Sequence, residues 1–223
     1  TAVLSLERMG QEDSDGGAGK NKDASKFLMM ATKHGIIKKT SIEDFKNVRK
    51  SGLGAIHLKK GDALKWVGVS YGKNDVILTT VNGQAIRFKE SDVRPMGRTA
   101  SGVRAITLKG DDEIISMIVV RPTHKHILIV SENGFGKRTA MSLFKTQKRG
   151  GLGLKAAKIS AKTGKLVSAL SMGEGQDELI AVSQKGQVIR MPIKKISILG
   201  RATQGVKVMR LSAGDKVASA VTV

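Results

Sequence analysis

The side chains of this chain best suited to chemistry are cations at recurring positions. Lys39, Arg87, Arg138 and Arg190 each stand four residues after a glycine, namely Gly35, Gly83, Gly134 and Gly186. Arg98, Arg149 and Arg201 each precede a second glycine, Gly102, Gly153 or Gly205, by four positions, and Arg49 precedes Gly52 by three. Ammonium and guanidinium groups bind phosphate and carboxylate. The whole composition points the same way, with 39 Lys and Arg against 19 Asp and Glu and a formal charge of +20. A polyanion is the expected partner. One cation on a strand is ordinary solvated surface, whereas recurrence at four equivalent points argues for a shared role. The expectation is a discontinuous basic stripe along one rim, with Lys38, Lys89, Arg104, Lys137, Lys145, Lys148 and Lys207 as further members.

Other chemistries find little support. Without cysteine there is no disulfide, thiolate or Cys-ligated zinc, which suits a reducing compartment. His124 and His126 could share a metal, but no third ligand lies near them in sequence, so the structural reading is preferred. Residues 16–21 and Gly134, Gly136 and Lys137 lack the glycine spacing and trailing Ser or Thr of a phosphate loop. No apolar run approaches the ~18 residues of a membrane span. A cytoplasmic, non-catalytic module with no membrane partner is expected.

The elements that must carry the cations repeat four times. Each unit opens with an apolar run and a turn closing on glycine: His34-Gly35, Asn82-Gly83, Asn133-Gly134, Lys185-Gly186. Asn-Gly between apolar runs predicts a type I′ hairpin. Phe45, Val93, Phe144 and Ile196 follow those glycines by ten residues, which predicts a buried anchor in the connection. Alternating strands are expected over 102–108 and 205–211, then a Gly/Asp turn and a last strand. A period of about 50 residues with four strands per unit reads as an all-β, propeller-like array. The expected blades are 26–74, 75–125, 126–176 and 177–223. Residues 1–8 read as the last strand of a preceding blade and 9–25 as a mobile loop. Residues 26–223 hold 36 basic and 14 acidic side chains, so the charge belongs to the blades.

Seven aromatic residues in the chain, with Phe27, Phe45 and Phe144 expected in the core, leave too few for base stacking along a single strand. No recognition helix is apparent for reading base edges. Double-stranded DNA held by its phosphates, with a steep salt dependence, is the favoured partner. A protein-binding propeller is the bland alternative.

Residues 27–40, 86–97, 133–139 and 196–206 resemble the C-terminal domain family of DNA gyrase A, and the likeness covers nearly the whole chain. The resemblance implies a β-pinwheel whose blades exchange strands and whose basic rim bends and wraps duplex DNA in support of negative supercoiling. It implies no cofactor in this domain, with ATP and magnesium serving the whole type IIA topoisomerase. The implied partners are DNA, the N-terminal cleavage domain of the same polypeptide and gyrase B, and the implied location is the bacterial nucleoid. The family's basic box, Gln-(Arg/Lys)-Arg-Gly-Gly-(Arg/Lys)-Gly, is matched in six of seven places by Gln147, Lys148, Arg149, Gly150, Gly151, Leu152 and Gly153, with Leu152 in place of a cation. Its place in the third unit marks it as a degenerate copy. The corresponding domain of topoisomerase IV, which steers substrate choice, is the alternative.

Overall fold

The computed structural model describes residues 26–47, 50–173 and 175–223. The expectations for 1–25 and the position of Arg49 lie outside these. Each unit contributes a central hairpin and a long closing strand. The first has β1 (Phe27–Thr32), β2 (Ile36–Ser41) and β3 (Leu64–Ser70); the second has β4 (Asp75–Thr80), β5 (Gln84–Lys89), the short β6 (Val103–Arg104) and β7 (Ile114–Val120). The third has β8 (His126–Ser131), β9 (Phe135–Ala140), β10 (Leu154–Lys155) and β11 (Leu166–Met172). The fourth has β12 (Glu178–Ser183), β13 (Val188–Pro192), β14 (Val206–Lys207) and β15 (Val217–Thr222). All pairings between these strands are antiparallel.

The hairpins depart from the expected type I′ turn. Among the described residues only glycines have positive φ. The amide of Gly83 donates to Thr80 O at 3.1 Å, and Gly35, Gly134 and Gly186 repeat that bond. A turn of this kind with glycine in the left-handed region makes a three-residue connection. Asn82 and Asn133 therefore need not adopt the positive φ that a type I′ turn demands.

The sheets are completed across unit boundaries. Their strand orders are β3-β1-β2-β6, β10-β5-β4-β7, β11-β8-β9-β14 and β13-β12-β15. The short strand of each unit thus joins the edge of the preceding unit's sheet. This explains why the alternating runs 102–108 and 205–211 form only two-residue strands: the chain pairs with one sheet and then turns its next residues into another core. Ala105, Ile106 and Met209 are buried there. Parallel bridges from Lys39 to Pro95, Arg87 to Thr146 and Arg138 to Ile198 bring the preceding loop along the same edge. Exposed strand edges are a liability, and in three sheets the next unit covers them.

The core lies between neighbouring sheets. Val76 and Leu78 pack with Met29, Ala31 and Ile37 of the first sheet, while Ile77 packs with Ile127, Ile129 and Phe144 of the third. Leu128 and Val130 then face Leu179, Ala181 and Ile196. Strands buried on both faces need continuous apolar runs, which is why each unit opens with one. Of the expected anchors, Val93, Phe144 and Ile196 are buried and Phe45 is half-buried. Phe27 is half-buried as well, because it lies at an outer sheet under the Lys39 ammonium, 4.8 Å from its ring centre.

Candidate nucleic-acid interface

Three of the four cations placed four residues beyond the hairpin glycine, Lys39, Arg87 and Arg138, reach into the following unit rather than simply out to solvent. Lys39 is 4% exposed; its Nζ donates to Glu90 O at 3.3 Å and lies 3.5 Å from the Glu90 carboxylate. Arg87 pairs with Asp75 at 2.8 Å and donates to Met141 O and Phe144 O. Arg138 donates to Ile196 O at 2.7 Å and Lys194 O at 3.2 Å. Each caps a carbonyl of the short 3-10 turn in the next unit (Glu90–Asp92, Met141–Leu143 or Ile193–Lys195), and Arg87 and Arg138 cap the anchor residue's carbonyl as well, where backbone groups need partners. Arg190 is exposed and pairs with Glu178, whose hydrogen bond holds its guanidinium pKa above the ordinary value. Their recurrence follows a repeated need to join units. Placing Lys39 on a solvent-facing stripe is corrected by its burial.

The loop between anchor and short strand forms an arch over the edge of the preceding sheet. It is tied down at one foot by Met96 N to Lys39 O, Gln147 N to Arg87 O and Leu199 N to Arg138 O, at 2.8, 2.7 and 2.8 Å. The other foot is a glycine that comes close to that edge. A Cβ on Gly102, Gly153 or Gly205 would meet a backbone oxygen at 2.6, 2.5 or 2.6 Å, and all three have positive φ. Only glycine fits both constraints.

Beneath the arches stand the residues three beyond the hairpin glycine. Lys38, fully buried, donates to Ala55 O at 2.6 Å and, by a shorter bond, to Arg98 O. Lys137, 1% exposed, donates to Gly200 O at 2.7 Å, Arg201 O at 2.5 Å and Thr203 Oγ1 at 3.2 Å. Their enclosure corrects the placement of both side chains on a solvent-facing stripe. Burial lowers the pKa of both, with Asp44 opposing and Arg98 reinforcing the shift at Lys38; at Lys137, burial and then Arg201 bring it to about 8. Numbered by unit, the arches at 96–102, 147–153 and 199–205 are the second, third and fourth, and under the third stands Ile86 instead, fully buried.

The remaining candidates lie farther out. Lys89, Arg104, Lys145, Lys148 and Lys207 are exposed, and Arg98, Arg149 and Arg201 are partly so. Arg149 donates to Asp92 O and Arg104 O, both at 2.9 Å, and Arg201 to Lys155 O at 3.0 Å, so each of these two arch arginines also straps its arch to the unit before. Lys207 Nζ donates to Asn133 O at 3.0 Å and lies 4.6 Å from the Phe135 ring centre. Exposed Lys155 was missed from the stripe, although it follows Gly153 as Arg104 follows Gly102 and Lys207 follows Gly205. Among the described residues no group of His, Cys, Asp and Glu could hold a metal ion. His124 accepts from Arg121 N, and burial, then Arg121, lowers its pKa; burial, then Arg138, lowers that of His126. No helix among the described residues is long and apolar enough to cross a membrane.

A family model described as the DNA gyrase C-terminal domain, beta-propeller, matches residues 26–70, 74–121, 125–171 and 177–223. The chain belongs to the DNA gyrase C-terminal domain family. It is 41% identical over 202 residues to the DNA gyrase A protein of Kosmotoga olearia, covering 90% of this chain and 25% of that protein. With the DNA gyrase A protein of Staphylococcus epidermidis it shares 38% identity over 198 residues, 88% of this chain and 22% of the relative. The chain therefore spans about a quarter of the length of these curated relatives. A solved DNA gyrase A C-terminal domain superposes with a TM-score of 0.79 at 29% identity, covering 95% of this chain and 73% of that one. The C-terminal domain of DNA topoisomerase IV shares the fold, with a TM-score of 0.83 at 24% identity and coverage of 92% and 64%. The array of antiparallel blades, three of whose edges are closed by the successor, is the β-pinwheel of the gyrase C-terminal family.

Proposed function

We propose that this chain binds duplex DNA through its phosphates and bends it along the outer edges of successive blades, supporting negative supercoiling by a DNA gyrase. The observation that carries this reading is the repetition of exposed cations on the short strands, Arg104, Lys155 and Lys207, beside arches that bear Arg98, Arg149 and Arg201. The net charge of +20 supports a long polyanion, and the shortage of aromatics argues against single-strand stacking. On this reading the domain needs no cofactor and takes no part in cleavage. ATP, magnesium, the N-terminal cleavage domain and gyrase B belong to the whole bacterial enzyme, which works in the cytoplasm on the nucleoid. Lys89, Lys145 and Lys148 are further proposed phosphate ligands.

Replacing Arg104, Lys148 and Lys155 together by alanine tests the reading, because all three are exposed and their side chains make no ion pair among the described residues. Binding to every duplex sequence should weaken, and the slope of log affinity against log salt should become shallower by roughly 2 to 3, at about 0.9 for each phosphate no longer neutralised. An unchanged slope means that DNA does not run along these strands. Positive writhe trapped on relaxed circles would support wrapping; binding without writhe would favour a substrate-steering role like that considered for topoisomerase IV.

A further inference from the structure

We propose that Lys38 and Lys137 are positioning residues, buried ammonium groups that clamp the backbone of the second and fourth arches from beneath and so fix Arg98 and Arg201 toward DNA. The DNA part rests on the function proposed above; the clamp itself rests on geometry. Both lysines are enclosed, and each gives its hydrogen bonds to oxygens of the arch or the segment beside it. Neither pairs with a carboxylate among the described residues, so neutral oxygens must compensate the buried charge. Lys137 uses three acceptors, which matches the three donors of an ammonium. Two consecutive carbonyls, those of Gly200 and Arg201, point at one nitrogen, and this sets the peptide planes on either side of the Arg201 Cα. The charge that acts on the Lys137 ammonium is the Arg201 guanidinium of the same arch.

The equivalent position in the second unit shows that the clamp is not a requirement of the fold. Ile86 stands there with its neighbours packed and its arch formed. An apolar side chain of similar length should therefore be accepted in place of Lys137.

The test is Lys137→Met in the full chain, read by amide hydrogen exchange and by duplex binding across a pH series. Exchange at residues 199–205 should accelerate about tenfold, the scale of lost hydrogen bonds to a charged group, while residues 147–153 stay unchanged. In the parent chain, exchange at 199–205 corrected for its intrinsic pH dependence should slow as pH rises above about 8, because lifting the arch returns Lys137 to solvent and its ordinary, higher pKa, and the variant should show no such trend. Duplex affinity should fall roughly threefold to tenfold, with a shallower salt slope. The double variant Lys38→Met and Lys137→Met should add the same change at 96–102. Unchanged exchange and an unchanged pH profile at 199–205 overturn the clamp. Faster exchange with unaltered duplex binding leaves the clamp standing and overturns the role assigned to Arg201.

Discussion

The third arch, at residues 147–153, and the fourth, at 199–205, bridge the same kind of sheet edge by different means. Both begin on a backbone bond to an edge cation's carbonyl, and both end on a glycine pressed against the strand. The fourth is held from beneath by Lys137, with Ala202 following its arginine at negative φ. The third has Ile86 beneath and Gly150 after its arginine at φ +85°. That backbone conformation lets Gly150 N donate to Ala105 O at 2.7 Å, while Thr107 donates from N to Gly151 O and from Oγ1 to Gly150 O. The Gly-Gly of the basic box is thus the structural substitute for a lysine clamp. A motif read as a ligand-binding element also serves to fold its own loop.

The largest break in this comparison comes from the cation beneath the joint. Arg87 carries the carbonyl that anchors the third arch and spends its guanidinium on Asp75, Met141 and Phe144. Arg87→Met should cost about 3 kcal/mol by leaving a half-buried carboxylate and two carbonyls short of partners. Urea unfolding would measure it. Arg190→Met, at the same register but with no following unit described, should leave the midpoint essentially where it is. Equal losses at the two positions would mean that Arg87 does not join blades.

That contrast also shows how much was legible in the sequence. Repeats, all-β class and hairpins follow from glycine spacing and apolar runs, because those features answer local backbone needs. The register of Lys39, Arg87, Arg138 and Arg190 was equally visible, but its purpose was not. A cation four residues past a turn looks the same whether it meets phosphate or a carbonyl of the next blade, and strand exchange, which decides between them, is a long-range fact. Lys38 and Lys137 were hidden for the same reason. Burial of lysine is rare, and only the arch above supplies the acceptors that make it tolerable.

A smaller effect sharpens the comparison from the glycine side. Gly150→Ala meets open space, its nearest neighbour being Arg104 O at 3.8 Å, so the penalty is conformational rather than steric. Forcing alanine to positive φ should destabilise the chain by about 1 to 2 kcal/mol. Ala202→Gly in the fourth arch should cost less than about 1 kcal/mol, through unfolded-state entropy alone. Thermal unfolding of the two variants side by side gives the difference, and a tolerated Gly150→Ala would show that the third arch does not depend on its left-handed residue.

A different kind of effect is the pH dependence that only a lysine-held arch can show. Lys137 has its pKa lowered from 10.5 to about 8 in the folded chain. Between those values the unfolded chain retains a proton that the folded chain has released, so this group makes unfolding free energy rise with pH across the window. Below about pH 8 both states hold the proton, and the cost of enclosing the ammonium is carried in full. The slope should vanish in Lys137→Met and persist in Gly150→Ala, since the third arch has no titrating group beneath it. Opening of the fourth arch follows the same linkage, because lifting it also returns Lys137 to solvent, so global stability and local order of that arch rise together as pH passes about 8. A parent chain whose stability is flat from about pH 8 to 10 would show that the Lys137 ammonium is better solvated than its enclosure indicates, and the distinction between charge-held and glycine-held arches would then rest on hydrogen-bond geometry alone.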